Sequence, residues 1–348
     1  MKTSEILQAW TSILTGHPPA LSIEITKECP LRCPGCYAYD PAHLGDEGMV
    51  LRQLADYKGD ELVKNILAVV EEHRPLHVSL VGGDPLVRYR ELEILLPELD
   101  RRGIHVQLVT SAFRPLPKSW NTLSKLSIVV SVDGLQPEHD ERRKPATYER
   151  ILRTTEESSV TIHCTITGQT ADRPGYLEAF LRFWSEQSQV KRIWMSLFTP
   201  QIGVVGPEIL TPAQRNSVID ELQRLYPLYS KLELNDAMIR ELRQPPRSPV
   251  ECIFARTTTS ISADLKTRIT PCQFGGNPDC SQCGCIASVG LAAVGHHKLV
   301  LGLTAGMVMK GSQRVGAGME RLRSLKRPSH KRRSPSPPEK LVVIGNAE

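Results

Sequence analysis

No run of about 20 consecutive apolar residues occurs in this 348-residue chain, so the sequence offers no membrane-spanning helix. The N-terminus lacks the basic and apolar regions of a secretory signal. Met1 to Leu14 read instead as a short amphipathic helix, with Ile6, Leu7, Trp10, Ile13 and Leu14 apolar. Without a sign of export, a disulfide framework is not expected. The nine cysteines then speak for metal binding in a reducing cytoplasm. No nucleic-acid-binding module is recognisable. Much of the net charge of +5 lies in the tail after residue 309, not along a groove, so nucleic acid is not an expected partner. Forty per cent hydrophobic and 23% charged residues are ordinary globular values and allow a sizeable core.

Between residues 21 and 199 the sequence alternates short β-branched runs with amphipathic ones. Strands are expected at Leu21–Ile25, His77–Val81, His105–Thr110, Ser127–Val132, Val160–Thr167 and Arg192–Phe198. Helices are expected at Asp60–His73, Tyr89–Arg102, Thr147–Glu157 and Tyr176–Gln187. The strand runs are nearly continuously apolar, which suggests burial on both faces. A βα series of this kind builds an α/β fold, an open parallel sheet or a partial (β/α)6 barrel. Its ligands bind beyond the carboxyl ends of the strands.

Cys29, Cys33 and Cys36 follow the first strand in a C-x3-C-x2-C run. Three thiolates on one loop can hold three irons of a [4Fe–4S] cube and leave the fourth open. A structural zinc site is the competing reading, since C-x2-C is its usual half-site. The second strand ends in Gly82-Gly83-Asp84-Pro85, where two glycines let a bent backbone approach a ligand. Alone, that run is only a turn. Strand three ends in Thr110-Ser111-Ala112. Strand four ends in Ser131-Val132-Asp133-Gly134, followed by His139-Asp140-Glu141-Arg142-Arg143.

Further on, Cys252, Cys272, Cys280, Cys283 and Cys285 crowd together after Pro245-Pro246. Thr257–Ala263 and Thr267–Thr270 alternate like a hairpin between the first two. A glycine-rich loop, Gln273 to Pro278, comes next. Cys164 stands alone in strand five and reads as a buried free thiol.

These motifs, in this order on these elements, resemble the radical S-adenosylmethionine (SAM) superfamily with a SPASM/twitch-like auxiliary iron–sulfur extension. The resemblance implies that Cys29, Cys33 and Cys36 hold a catalytic [4Fe–4S] cluster whose open iron chelates SAM. One electron then cleaves SAM to a 5′-deoxyadenosyl radical, which takes a hydrogen atom from a substrate. It also implies SAM contacts at Gly82, Gly83, Asp84 and Pro85, with Asp84 where relatives have glutamate, and at Ser131 and Ser111. Relatives often have an aromatic residue just before the third cysteine. Here that residue is Gly35, and Tyr37 is the candidate to replace it at the adenine. Met195 faces the adenine by analogy, with core packing as the alternative. The five later cysteines imply one auxiliary [4Fe–4S] cluster held by four of them, with zinc as the alternative. No catalytic side chain is singled out. His139 and Asp140 are expected to fix their loop. Arg143 is expected to neutralise a ligand carboxylate or to pair with Asp140 or Glu141. Asp133-Gly134 reads equally well as a turn.

The expected organisation is an N-terminal helix (1–20), a radical SAM barrel (21–245), an auxiliary domain (246–290), an apolar and basic helical segment (291–328) and a disordered tail (329–348). Expected partners are SAM, an electron donor such as flavodoxin or ferredoxin, and a peptide or protein side chain as substrate. The residues before strand one are too few for the peptide-recognition domain that many such relatives carry. A lipid or isoprenoid at the membrane surface is the alternative substrate, motivated by the apolar run Leu299–Met309 and the basic segment after it. A non-catalytic zinc scaffold is the third reading.

Overall fold

The structure, a computed structural model, describes residues 3–45, 49–296 and 304–326. Seven strands form one parallel sheet in the order β6-β5-β4-β3-β2-β1-β7. They are β1 (Ala20–Glu24), β2 (His77–Val81), β3 (His105–Thr110), β4 (Leu126–Ser131), β5 (Val160–Ile166), β6 (Val190–Leu197) and β7 (Thr258–Ile261). The helices are α1 (Thr3–Leu14), α2 (Gly59–His73), α3 (Tyr89–Arg101), α4 (Glu138–Arg143), α5 (Tyr148–Thr155), α6 (Gly168–Ala171), α7 (Tyr176–Glu186), α8 (Pro212–Leu225), α9 (Asp236–Arg243), α10 (Ile253–Thr257), α11 (Ile286–Gly295) and α12 (Ala305–Lys326). The first six strands and the four helices expected between them (α2, α3, α5 and α7) lie within a residue or two of their expected bounds, while the short helices α4 and α6 were not expected. Local chemistry sets those bounds. Thr211, for instance, caps α8 by accepting from the Gln214 amide, and Pro212 follows at its first position.

The strands are not buried alike on both faces. Leu21, Ile23, Val78, Leu80, Leu108, Ile128, Val130, Ile162 and Met195 point to one side. There they share a core with Leu62, Ile66, Leu92, Leu96, Phe180 and Trp184 of the helices. The opposite, inner face mixes polar side chains with Val81, Val109 and Val129. One row across it runs Ser260, Ser22, Ser79, Gln107 and Ser127, matched strand by strand. Burial on both faces is met at Ser22, Glu24, Val129, Thr161 and Ser260 of this face, but much of that buried surface is polar rather than apolar. Period-2 alternation is hidden because serine and threonine interrupt the β-branched runs without breaking them. A partly polar inner face suits a partial barrel that takes a ligand.

A seventh strand was not expected. The arm anticipated at Thr257–Ala263 is β7, which pairs in parallel with β1 from Ala20↔Thr258 to Ile23↔Ile261. The hairpin partner survives as a single antiparallel bridge, Ile261↔Arg268, with two flanking backbone bonds. The stretch expected as an auxiliary domain, 246–290, thus supplies an edge strand of the main sheet. Met195 is core, fully buried on the helix side beside Cys164. Cys164 is buried, as a free thiol. Helix α12 packs on α1, where Gly316 comes so close that a Cβ would stand 2.1 Å from the Ile13 carbonyl oxygen. No described helix is long and apolar enough to cross a membrane. The tail 329–348 and residues 299–303 of the apolar run lie outside the described residues.

Candidate active site

Strand β1 delivers the chain to the three-cysteine loop, and the turn after β2 is laced to that loop. The Gly83 N–H donates to the Thr26 carbonyl at 2.8 Å, and the Asp84 N–H to the Glu28 carbonyl at 2.9 Å. Only glycine allows this approach. A Cβ on Gly83 would stand 2.0 Å from the Glu28 oxygen. On Gly82, whose φ is +113°, it would stand 2.8 Å from the Glu24 Cα. The two glycines therefore do a structural task before any ligand is considered.

Asp84 is 2% exposed, and its carboxylate is fully used. Oδ1 accepts from the Leu86 N–H at 3.0 Å and the Thr110 hydroxyl at 2.7 Å. Oδ2 accepts from the Ser111 N–H at 2.9 Å and the Ser111 hydroxyl at 2.5 Å. Burial pushes its pKa up, against those hydrogen bonds. Pro85 begins the short 3-10 turn that follows, and is buried. Asp84 and Ser111, both expected to touch SAM, hold each other and tie β2 to β3. Ser131 ends β4 on the inner face, in register with His163 of β5.

A charged group missed in the sequence supports the loop from below. Arg88 is 4% exposed and reaches Glu28 at 3.0 Å and Asp56 at 2.5 Å. That contact, with Lys58, holds Glu28 down at about 2. The only hint in the sequence was an arginine four residues after Asp84.

The thiols of Cys29, Cys33 and Cys36 are half-buried and lie within electrostatic reach of one another. Burial pushes all three up, Cys29 to about 12. Arg143 works against this at Cys33 and Cys36. Its partner is neither Asp140 nor Glu141. Its Nε donates to Asp133 Oδ2 at 2.7 Å, which also accepts from Arg142 Nε at 3.1 Å. Asp133 is therefore an ion-pair centre, not a simple turn residue. Despite its burial, the two arginines hold its carboxyl far below the usual range. His139 and Asp140 fix the loop as expected. His139 accepts from the Asp133 N–H and donates to the Ala146 carbonyl. Asp140 accepts from the Tyr148 N–H and the Gln136 amide.

Gly35 has φ +64°, and a Cβ there would meet the Phe198 ring at 3.1 Å. Phe198, at the end of β6, thus stands beside the position where relatives carry an aromatic residue. Tyr37 turns elsewhere. Its ring packs edge-on against Phe274, centroids 5.4 Å apart, and lies 5.7 Å from the His43 ring. Its hydroxyl lies within the fields of Cys36, Cys285 and Cys272, between the two cysteine groups.

The second group shares one cavity. Cys252, Cys272, Cys280, Cys283 and Cys285 all line it, with Phe254 and Phe274. Burial raises Cys272 to about 12 and Cys280 to about 11. Among the described residues no three His, Cys, Asp or Glu side chains stand at single-ion distances. The five later cysteines line a cavity instead of converging on a point. The donor sets are soft sulfur, three in one group and five in the other, which fits iron–sulfur ligation in kind.

Residues 23–170 match the model of the radical SAM superfamily. This part of the chain is similar to radical SAM domains. Two curated relatives are PqqA peptide cyclases. The one from Rhizobium meliloti is 28% identical over 128 residues, 36% of this chain and 32% of that protein. The one from Bradyrhizobium diazoefficiens is 34% identical over 105 residues, 30% of this chain and 25% of that protein. The match thus spans about a third or less of their length. Among solved structures, native anSMEcpe with bound AdoMet superposes with a TM-score of 0.53 at 16% identity, covering 88% of this chain and 98% of that one. SuiB of Streptococcus suis bound to the precursor peptide SuiA gives 0.50 at 16% identity, covering 75% and 61%. At such identity these two establish the fold. The likeness to radical SAM domains rests on the matched model.

Proposed function

We propose that this chain is a radical SAM enzyme acting on a peptide or protein side chain. One observation carries the reading. A three-cysteine loop sits at the carboxyl end of β1 in the matched domain, braced by the glycine turn of β2 and faced by a partly polar barrel interior. Cys29, Cys33 and Cys36 would hold the [4Fe–4S] cluster. Bound there with SAM, it would supply one-electron cleavage chemistry that the polypeptide lacks.

The protein's own residues then have distinct tasks. No donor among the described residues reaches the Gly82 and Gly83 carbonyls, so both can accept from the SAM amino group. Asp84 and Ser111 position that turn, while Ser131 offers a hydroxyl on the inner face. Phe198 takes the place assigned to Tyr37 as the aromatic wall for adenine. Four of the five later cysteines would hold an auxiliary cluster. The names of the PqqA cyclases and of the SuiA-bound SuiB support a peptide substrate over a lipid.

Anaerobic reconstitution tests this. About eight irons per chain are expected, falling by about four in a Cys29→Ala/Cys33→Ala/Cys36→Ala variant. Dithionite and SAM should yield 5′-deoxyadenosine, faster with peptides than without them. Zinc without iron would leave only the scaffold reading. Stimulation by lipid vesicles and not by peptides would move the substrate to lipid.

A further inference from the structure

The two cysteine-bearing loops touch through residues that are not cysteines. His43 lies just beyond the first loop and is fully buried. Its Nδ1 stands 2.9 Å from the Phe274 carbonyl, two residues after Cys272. A carbonyl only accepts, so Nδ1 carries a proton and donates. Its Nε2 stands 2.8 Å from Glu24 Oε1, at the end of β1. Glu24 is 1% exposed, and its other oxygen accepts from the Ser262 hydroxyl at 2.5 Å, just past β7. One buried imidazole thus joins the strand that feeds the first loop, the segment that leaves it, and the turn that carries Cys272.

The backbones are in contact as well. Gly275 has φ +66°, and a Cβ there would fall 1.8 Å from the His43 carbonyl oxygen. A Cβ on Gly276 would fall 2.9 Å from the Ala42 oxygen. Tyr37 closes the contact by packing its ring on Phe274. None of these groups is needed to ligate a metal, and burying a histidine–carboxylate pair is costly unless it specifies an arrangement.

We propose that His43 is a positioning residue that clamps the two cysteine-bearing loops into one unit, so that the Cys29–Cys36 loop is set for its cluster only while the Cys272 turn is docked on it. The consequence for cluster loading rests on the proposed function; the clamp itself does not. Burial pulls the His43 pKa down, but Glu24 outweighs it and the net shift is upward, as a clamping imidazole requires.

The test uses the full-length protein stripped of metal, alkylated with iodoacetamide and read cysteine by cysteine by mass spectrometry. In His43→Ala, Cys36 and Cys272 should both react at least threefold faster. Gly275→Ala should do the same from the opposite side, without touching the imidazole. His43→Gln, which keeps an N–H for the Phe274 carbonyl, should recover much of the protection. Cys164 in β5 reports the fold and should stay protected throughout. If His43→Ala exposes Cys164, Gly275→Ala and His43→Gln decide. Unchanged rates at Cys36 and Cys272 in the variants that keep Cys164 protected would overturn the clamp. A wild-type protein that takes up no iron would sink the proposed function and leave this test standing. After reconstitution, iron at the Cys29–Cys33–Cys36 site should fall severalfold in Gly275→Ala, read in protein whose Cys272 and Cys283 are alanine. Full loading there would overturn the coupling.

Discussion

Asp84 Oδ2 accepts two hydrogen bonds from Ser111, from its hydroxyl at 2.5 Å and from its N–H at 2.9 Å. The carboxylate is 2% exposed and held by four hydrogen bonds, so its length matters as much as its charge. Asp84→Ala should cost about 2–4 kcal/mol, because buried donors on Thr110 and Ser111 lose their acceptor. Asp84→Glu restores the residue usual in relatives. It should nevertheless destabilise by about 1–3 kcal/mol through overpacking. Denaturant melts of the metal-free protein would settle both. A variant Asp84→Glu as stable as the parent would mean that this site is looser than its contacts indicate.

Gly83→Ala places a methyl where the Glu28 carbonyl oxygen stands, 2.0 Å away. The β2 turn and the cysteine loop must separate. Iron binding at Cys29, Cys33 and Cys36 should fall at least tenfold, with the far helices unaffected. Iron analysis beside circular dichroism checks this, and normal iron content would show that the lacing is dispensable.

Arg143→Ala removes one of two guanidinium partners from a buried Asp133. Stranding a buried charge costs about 3–5 kcal/mol when it is left alone. With Arg142 remaining, about half of that is expected. The thiols of Cys33 and Cys36 also lose a nearby positive charge and should alkylate more slowly at fixed pH. Arg143→Lys should recover the thiol rates more fully than the stability, since lysine restores charge but not the planar donor geometry. Faster alkylation in Arg143→Ala would mean that the loop opens.

His77 and His163 are held near pKa 4 by burial, His77 also by the neighbouring His105. A histidine whose folded pKa is depressed binds its proton more readily when unfolded. Its contribution is complete above the unfolded value, near 6.5, and is lost as pH falls from there toward 4. Each should account for on the order of 3 kcal/mol over that window. Melting temperature should therefore drop steeply between pH 6.5 and 4. In a His77→Gln/His163→Gln protein the slope should flatten. An unchanged slope would assign the acid sensitivity to other groups.

Much of the site was legible before the fold was known. Cysteine spacing and the Gly-Gly-Asp-Pro run are local facts. The loop after β1 and the turn after β2 must sit together once the strands are parallel neighbours. The seventh strand was not legible. Thr257–Ala263 has a strand's composition, but composition does not name its partner. Pairing with β1 or folding back as a hairpin depends on which neighbour buries it. Tyr37 was read as an adenine contact because it sits next to the third cysteine. The structure turns it toward Phe274, more than two hundred residues away in sequence.

Taken alone, the sequence determined the order of the elements, the βα alternation and the spacing of the cysteines. These follow from periodicity, capping and residue chemistry within a few positions. Tertiary structure alone decided that Glu24, His43, Ser262 and Phe274 meet, that Arg88 braces the loop through Asp56 and Glu28, and that all five later cysteines face one cavity. Such contacts join residues far apart in the chain. They arise because a buried polar group must find its partner wherever the packed backbone places one, and no local pattern encodes that place.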